Sequence, residues 1–347
     1  MKAAVIHLDN GHKTLRTDEV ADPPVGPTSV LIRVRAAGIC GSDLHGFLDD
    51  AGTSRREGLI MSHEIAGEVV SVGEAVTRVR PGQKVAVDPQ VRCGHCDACR
   101  NGWISICENK RVLGSSLRGF EQGGMAELVA VEEVQVFPVP DTMTMAEAAM
   151  IEPLSNALHV VNRAHIKLGD TVVVIGAGTL GLCMVQAAAL AGAGTLIVSD
   201  TSDFRLGVAA RTGADVVLNP LRENLRDRVA ELTGGVGADV VIESVGIDAT
   251  YQDAIHIVRK RGRVMFFGAV QDTVTLPLMR ILHKEVDIVG CTGANDETEL
   301  GIRLVGAGRI DLKQIITHSF PLEEAQAAFD ILSDRDADTI KVQVIPG

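Results

Sequence analysis

A glycine-rich turn between an apolar segment and a helical one limits what this chain can fold into. The turn is Gly176-Ala177-Gly178-Thr179-Leu180-Gly181, and a helix-like stretch, Gly181–Ala191, follows it. Similar apolar and helical stretches alternate over the next hundred residues. The six candidate strands are Thr171–Ile175, Leu196–Ser199, Val216–Leu218, Val240–Ile242, Arg263–Phe267 and Asp287–Val289. This alternation predicts an α/β domain with a doubly wound, six-stranded parallel sheet.

The turn itself has the G-x-G-x-x-G spacing of a Rossmann dinucleotide site, with Gly176, Gly178 and Gly181 at the glycine positions. The first glycine makes the tight turn, the second admits the pyrophosphate, and the third lets helix and strand pack closely. Asp200 ends the next predicted strand, where a carboxylate accepts the ribose hydroxyls and repels a 2′-phosphate. NAD is therefore favoured over NADP, although Arg205 nearby leaves NADP open.

The first 150 residues follow another pattern, with short β-like segments separated by Gly and Pro. Examples are Val30–Arg35, Gly67–Gly73 and Lys84–Val87. They predict a β-rich domain, a partly closed barrel or sandwich. The chain returns to a strand at Ile340–Ile345, which we expect to fold back onto this first domain.

The length of 347 residues favours two domains. We predict one from 1–154 and 291–347, with a zinc lobe at about 91–108, and one from 155–290. The net charge of −12 and the single Trp and Tyr argue against nucleic acid as a partner. Because no apolar run reaches the roughly 18 residues of a membrane span, and the start lacks a signal-peptide pattern, we predict a cytoplasmic protein.

Four cysteines crowd into one short stretch. Cys93, Cys96, Cys99 and Cys107 have C-x2-C-x2-C-x7-C spacing. Four thiolates at about 2.3 Å match tetrahedral zinc in a closed, structural site. An iron–sulfur cluster and free buried thiols are the competing interpretations. The bacterial ferredoxin run closes with C-x3-C-P, whereas here Glu108 follows a gap of seven, and free thiols would not need this spacing. The odd total of seven cysteines also favours metal over disulfides.

A second candidate metal site combines donors that are far apart in the sequence. They are Cys40, the neighbouring pair His63-Glu64, and Glu152. Three protein ligands and an open position are the pattern of catalytic zinc, which can lower the pKa of a bound hydroxyl to near 7. The resulting alkoxide can release a hydride to a nicotinamide. Ser42 and His45 follow Cys40 closely and can pass the proton to solvent.

Together these residues resemble the zinc-containing medium-chain dehydrogenase/reductase family, in particular its sorbitol (polyol) dehydrogenase branch. The match lies in 38–45, 63–69 and 151–154, with the cysteine lobe and the glycine motif in the same order and spacing. The resemblance implies a GroES-like catalytic domain with a Rossmann domain inserted before its last segment. It also implies two zinc ions per chain, one catalytic and one structural, an NAD cofactor and a homodimer or homotetramer.

The resemblance also implies a role for each matching residue. Cys40, His63 and Glu64 match the catalytic zinc ligands, and Glu152 matches a direct or water-mediated fourth. Ser42 and His45 match the proton relay, Asp200 and Arg205 the adenosine-ribose contacts, and Leu180 the apolar residue behind the nicotinamide.

The chain departs from the family pattern in two places. Ser62 stands where the family usually has Gly before the His-Glu pair. The strand end at 290–293 lacks the basic residue that sorbitol dehydrogenases place near substrate. The loop Gly46–Leu59, with Asp49, Asp50, Arg55, Arg56 and Glu57, is expected to border the substrate.

The sequence therefore predicts a zinc-dependent, NAD-linked dehydrogenase that interconverts a secondary alcohol and a ketone on a polyol or sugar-derived small molecule. Within the enzyme class, a threonine- or butanediol-type dehydrogenase is the alternative. A non-enzyme alternative is a redox-sensing protein that binds the cofactor without activity. Such a protein would be expected to have lost the ligands of the open site, and this sequence retains them.

Overall fold

The computed structural model describes residues 1–49, 54–334 and 336–347, which separate into two compact units. The β-rich unit comprises Met1–Glu152, Thr298–Gly308 and Ile316–Gly347. The α/β unit comprises Pro153–Glu297 and Arg309–Ile315. No helix in the described ranges is long and apolar enough to cross a membrane.

The strands are β1 Lys2–Asp9, β2 His12–Glu19, β3 Ser29–Gly38, β4 Glu64–Val72, β5 Lys84–Val87, β6 Gln90–Val91, β7 Arg111–Val112, β8 Leu128–Glu132, β9 Val136–Pro138, β10 Thr171–Ile175, β11 Thr195–Ser199, β12 Val216–Leu218, β13 Ala238–Glu243, β14 Val258–Phe266, β15 Asp287–Gly290, β16 Ile316–Pro321 and β17 Lys341–Ile345. The helices are α1 Gly41–Leu48, α2 Asp97–Arg100, α3 Met145–Ala149, α4 Ile151–Ala164, α5 Thr179–Ala191, α6 Asp203–Thr212, α7 Leu225–Leu232, α8 Asp248–Ile257, α9 Leu278–Lys284, α10 Glu297–Gly306 and α11 Ala325–Ser333.

The main sheet of the β-rich unit has the order β16-β17-β3-β4-β5-β9, and β8 also pairs with β3. The final strand β17 pairs antiparallel with β3, so the chain does fold back onto the first domain as predicted. Beneath the sheet, the ring of Phe47 in α1 packs against Phe329 in α11 with centroids 5.0 Å apart. Both rings are buried, and this contact anchors α1 beside the sheet.

The α/β unit is built on one parallel sheet with the order β12-β11-β10-β13-β14-β15. The predicted six-stranded Rossmann-type sheet is therefore confirmed, and the strands Thr171–Ile175 and Val216–Leu218 have the predicted limits. Val172, Val173 and Val174 of the central strand β10 are fully buried, because helices cover both faces of a doubly wound sheet.

The limits of the units differ from the predicted domain limits on the C-terminal side. The α/β unit continues to Glu297 rather than ending at 290, and the Glu297 carboxylate accepts a hydrogen bond from His159 in α4 at 2.9 Å. Residues 309–315 also belong to this unit, because the Gln186 side chain exchanges two hydrogen bonds with the Asp311 backbone. These long-range bonds carry no local sequence signal.

Candidate metal centres and nucleotide site

The four cysteines of the lobe converge on one point. The sulfurs of Cys93, Cys96, Cys99 and Cys107 lie within 4.8 Å of one another. The Cys93–Cys107, Cys96–Cys107 and Cys93–Cys99 separations are 3.6, 3.9 and 4.0 Å. A tetrahedron with metal–sulfur bonds of about 2.3 Å has edges of about 3.8 Å. The four thiols therefore fit a closed tetrahedral zinc site.

The lobe shifts the pKa values of two of its thiols in opposite directions. Backbone N–H groups of His95 and Cys96 lower the pKa of Cys93 to about 6. Burial, together with the neighbouring sulfurs, raises the pKa of Cys99 to about 12. One thiol of the group is thus readily ionised and another keeps its proton until a cation displaces it.

The second donor group is assembled from separate elements. One ligand atom each from Cys40, His63 and Glu64 lies within 4.8 Å of the others. Cys40 follows β3 and precedes α1, whereas His63 and Glu64 stand at the start of β4. The two strands are antiparallel with Gly38 opposite Glu64, which brings the two segments together. A thiol, an imidazole and a carboxylate are all donor types that zinc accepts.

Gly38 is required by the Glu64 side chain. A Cβ on Gly38 would lie 1.9 Å from Glu64 Oε2, so the carboxylate occupies the space that a side chain would fill. Lys341 in β17 reaches the same carboxylate, with Nζ 2.6 Å from both oxygens, and also donates to the Ile39 carbonyl at 2.8 Å. Lys341 and Glu64 are each 1% exposed. Each carboxylate oxygen retains lone pairs, so the ion pair is compatible with a ligand role.

A buried charge network supports His63. Asp43 Oδ1 lies 3.5 Å from His63 Nδ1 and accepts two hydrogen bonds from Arg55, at 2.8 and 3.2 Å. Its other oxygen accepts the Cys40 N–H at 3.1 Å. Burial alone would raise the pKa of Asp43, but His63 and Arg55 hold it well below its usual range. Carboxylates beside a ligating histidine orient the ring and fix its tautomer.

His63 shows the opposite shift. Burial alone would lower its pKa, but the charges of Asp43 and Cys40 outweigh burial and raise the pKa well above its usual value. A metal ion entering this group must therefore displace a proton from the imidazole.

Arg55, in the loop that the sequence predicts to border the substrate, is a buried residue. It is 4% exposed and packs across α1, where a Cβ on Gly46 would lie 2.7 Å from its Cγ. Its guanidinium forms an ion pair with the Asp43 carboxylate. Arg56 and Glu57 are exposed, and Asp50 lies outside the described residues.

The other residues predicted for the open site, Ser42, His45 and Glu152, lie on helices. Ser42 and His45 are exposed on α1, three residues apart and therefore on one helix face. Glu152 is half-buried in the first turn of α4 and is not among the three clustered donors. Burial alone would lower the pKa of Lys341, but the charges of Glu64 and Cys40 outweigh burial and raise it. The charge of Glu152 makes a smaller contribution in the same direction.

The structure explains why glycine is expected in place of Ser62. Its φ is 75°, in the left-handed region that favours glycine. The serine hydroxyl offsets part of this strain by donating to the Gly38 carbonyl at 2.8 Å while fully buried.

The strand end at 290–293 receives a basic group from another element. Arg163 of α4 donates to the Gly290 carbonyl at 2.6 Å and lies 3.6 Å from the Cys291 sulfur. The sequence alone gave no sign of this contact.

The glycine motif has the geometry that a dinucleotide requires. Gly176 follows β10 with φ 100°, and a Cβ on Gly181 would lie 1.9 Å from the Gly176 carbonyl oxygen. A Cβ on Gly178 would contact nothing within 4 Å, so the protein itself does not require that glycine. A pyrophosphate at the N-terminus of α5 would occupy this space, and the motif therefore fits the cofactor.

Asp200 lies against the same turn. Its carboxylate accepts the Ala177 N–H at 2.7 Å and the Ser202 N–H at 2.8 Å. Arg205 follows in α6 and Leu180 lies in the first turn of α5, each half-buried.

Two family models match the chain in the same order as these sites. Residues 26–141 match the alcohol dehydrogenase GroES-like domain, and residues 179–306 match the zinc-binding dehydrogenase domain. The sorbitol dehydrogenase of Bacillus subtilis (strain 168) is 33% identical over 100% of this chain and 97% of its own length. The chain belongs to the zinc-binding alcohol dehydrogenase family. The expected family and its GroES-like and Rossmann-type domains are thereby confirmed.

Other members show the breadth of this zinc-binding dehydrogenase family. The L-threonine 3-dehydrogenase of Pyrococcus horikoshii is 36% identical over 90% of each chain. A solved zinc-binding dehydrogenase of Sinorhizobium meliloti 1021, bound to NADP, superposes with a TM-score of 0.91. It is 32% identical and covers 100% of this chain and 99% of its own.

Proposed function

We propose that this protein is a zinc-dependent, NAD-linked dehydrogenase that interconverts a secondary alcohol and a ketone on a polyol or sugar-derived small molecule. The observation that carries the proposal is the convergence of Cys40, His63 and Glu64, which are distant in sequence, into one donor group. The similarity to a sorbitol dehydrogenase supports the polyol class.

In the proposed mechanism, Cys40, His63 and Glu64 hold the catalytic zinc, and Glu152 serves as a direct or water-mediated fourth ligand. When bound, the zinc supplies a Lewis acid that makes loss of a hydroxyl proton possible near neutral pH. Asp43 orients His63, and Lys341 fixes the Glu64 carboxylate, so that the donor group keeps its shape.

The proton leaves through α1. Ser42 accepts it on its hydroxyl oxygen while passing its own proton to the His45 imidazole, which delivers it to solvent. Both side chains are exposed, and an imidazole can accept a proton on one nitrogen and donate one from the other, which suits this relay.

Gly176, Gly178 and Gly181 receive the pyrophosphate, and Asp200 and Arg205 contact the adenosine ribose. Leu180 would provide the apolar contact for the nicotinamide ring, and the bound cofactor would supply the hydride acceptor. The Asp200 carboxylate would repel a 2′-phosphate, so NAD is favoured over NADP. Cys93, Cys96, Cys99 and Cys107 hold the second, structural zinc.

We also propose a cytoplasmic homodimer or homotetramer. Strand β15 lies at the edge of the parallel sheet, and the neighbouring α9 exposes Leu278, Met279 and Leu282. An unpaired strand edge beside exposed apolar side chains favours self-association. Thiols rather than disulfides among the seven cysteines support a reducing compartment.

A substrate panel tests the proposed class. Polyols, sugar acids, 2,3-butanediol and threonine would each be assayed with NAD and with NADP at saturating cofactor. The highest kcat/KM for a polyol or sugar acid with NAD supports the proposal. Preferred oxidation of threonine, which the similarity to L-threonine 3-dehydrogenase favours as second candidate, would replace it. Binding of NADH without turnover of any alcohol would favour the redox-sensing alternative.

A further inference from the structure

A buried carboxyl group, Glu243, stands on the nucleotide-binding side of the α/β unit and has no part in the proposed mechanism. It ends β13 and lies opposite Ile175, the last residue of β10 before the glycine motif. The side chain is 0% exposed. A buried acid at this position must have a structural reason, since burying an uncompensated carboxylate is costly.

The hydrogen bonds that the structure shows for the Glu243 carboxyl group all go to one of its two oxygens. Oε1 accepts the N–H groups of Val245 and Gly246 at 2.9 and 2.8 Å, and the Thr250 hydroxyl lies 2.7 Å away. Oε2 is buried and has no hydrogen-bond partner among the described residues. The carboxyl therefore holds the turn that immediately follows it, residues 244–246.

The 244–246 turn packs directly on the glycine motif. A Cβ on Gly176 would lie 2.7 Å from Ser244 Oγ and 2.8 Å from Val245 Cγ2. The Ser244 hydroxyl also donates to the Ile175 carbonyl at 2.8 Å. A shift of this turn would therefore disturb the phosphate-binding glycines.

A second turn, residues 268–270, interlocks with the first. A Cβ on Gly246 would lie 2.4 Å from the Ala269 nitrogen, and a Cβ on Gly268 would lie 2.2 Å from the Gly246 nitrogen. Tyr251 of α8 secures this second turn by donating from its hydroxyl to the Gly268 carbonyl. The two backbones touch without intervening side chains, so they are expected to move together.

We propose that Glu243 is a positioning residue for the bound dinucleotide. It fixes the 244–246 turn, and through it the 268–270 turn, at the carboxyl ends of β13 and β14. In open α/β sheets, ligands bind at the carboxyl ends of the strands near the point where strand order reverses. Here that point lies between β10 and β13, where β13 follows β12 in the chain but pairs with β10. The inference rests on the proposed cofactor.

The test compares Glu243→Ala and Glu243→Gln with a control on the same strand, Asp239→Asn. Asp239 accepts the Thr171 N–H at 2.8 Å and pairs with Arg259, but at the opposite, amino-terminal end of β13. The dissociation constant of NADH is measured by fluorescence titration of the zinc-loaded proteins, and thermal unfolding is followed without cofactor.

We expect Glu243→Ala to weaken NADH binding by about tenfold or more, because the Val245 and Gly246 N–H groups lose their acceptor and the Thr250 hydroxyl keeps only the Ile247 carbonyl. Glu243→Gln should stay within about threefold of wild type, since the amide oxygen can replace Oε1. Asp239→Asn should lower the unfolding temperature without changing NADH affinity. If Glu243→Ala does not fold, Thr250→Val, which removes one donor, should still weaken NADH binding by about threefold.

Unchanged NADH affinity in Glu243→Ala would overturn the inference. If Glu243→Ala does not fold, unchanged NADH affinity in Thr250→Val would overturn it instead. So would an equal loss of affinity in Asp239→Asn, which would show general destabilisation, or a Gln variant as weak as the Ala variant. A wild-type protein that binds neither NADH nor NADPH would instead overturn the proposed function, and the inference with it.

Discussion

The two metal groups of the β-rich unit are built in opposite ways. The closed group takes its four thiols from one continuous segment, Cys93–Cys107, and its geometry is set by local turns around α2. The open group takes Cys40 from the end of one strand and His63 and Glu64 from the start of another. Its shape therefore depends on the pairing of β3, β4 and β17 across the sheet.

The electrostatic surroundings differ as well. Beside the open group lie two buried ion pairs, Asp43–Arg55 and Lys341–Glu64, each with side chains 5% exposed or less. The closed group is accompanied mainly by its own thiols and by backbone N–H groups. The four-thiol group is thus specified by local spacing, whereas the group of mixed donors lies among charges that the fold holds in place.

The largest effect is expected from His63→Ala. Turnover should fall by about a thousandfold or more, because a Lewis acid contributes several kcal/mol to the barrier. Bound zinc should fall from two ions per chain to one, since only the closed group remains. Steady-state rates, metal analysis and NADH titration check this, and NADH affinity should persist. The control is His95→Ala, which replaces an exposed histidine beside the closed group and should keep both zinc ions. Full turnover by His63→Ala would contradict the mechanism.

Lys341→Met should destabilise the β-rich unit by about 3–5 kcal/mol, because the Glu64 carboxylate is left buried without its partner. Urea unfolding measures the loss, and adding Glu64→Gln should recover part of it. Lys2→Met provides the control, because the Lys2–Glu323 pair is about half exposed and its loss should not be measurable. Equal stability of Lys341→Met and wild type would show that the pair does not support the open site.

Cys96→Ser should weaken the closed group alone. If the lobe binds zinc about a hundredfold less tightly, linkage lowers its stability by about 2.7 kcal/mol. Thermal unfolding and metal analysis check this, and turnover at low temperature should stay within about threefold of wild type. The control is Cys291→Ser, another thiol-to-hydroxyl change, which should retain both zinc ions. If Cys96→Ser lost activity while the open group kept its full zinc occupancy, the two sites would be shown to depend on each other.

The smallest effects are expected at Ser62. Ser62→Ala should cost about 1 kcal/mol, because it removes the bond to the Gly38 carbonyl and keeps the left-handed backbone. Ser62→Gly should lie within about 0.5 kcal/mol of wild type, since relief of strain offsets the lost bond. Denaturant unfolding separates the two variants, and a glycine variant less stable than the alanine variant would refute this explanation.

The sequence predicted the parallel sheet closely, because buried β-strands and glycine turns leave strong local patterns. Strand β10 and the start of α5 around Gly176–Gly181 are the best examples. It also grouped Cys40, His63 and Glu64, first from their donor types and then from their resemblance to a family motif, and the structure brings their donor atoms together. It did not predict the roles of Asp43, Arg55 or Lys341. Asp43 offered a weak signal within the Cys40 motif, but a buried lysine near the end of the chain offers none.

The sequence by itself determined the family, the six-stranded sheet, the glycine motif and the four-thiol group, because each depends on residues close together in the chain. Only the tertiary structure decided which charges surround the open site and where the two units divide. Lys341 lies 277 residues from Glu64, and their contact arises from the pairing of β17 with β3. Buried ion pairs of this kind depend on burial and distance in space, which local sequence does not encode.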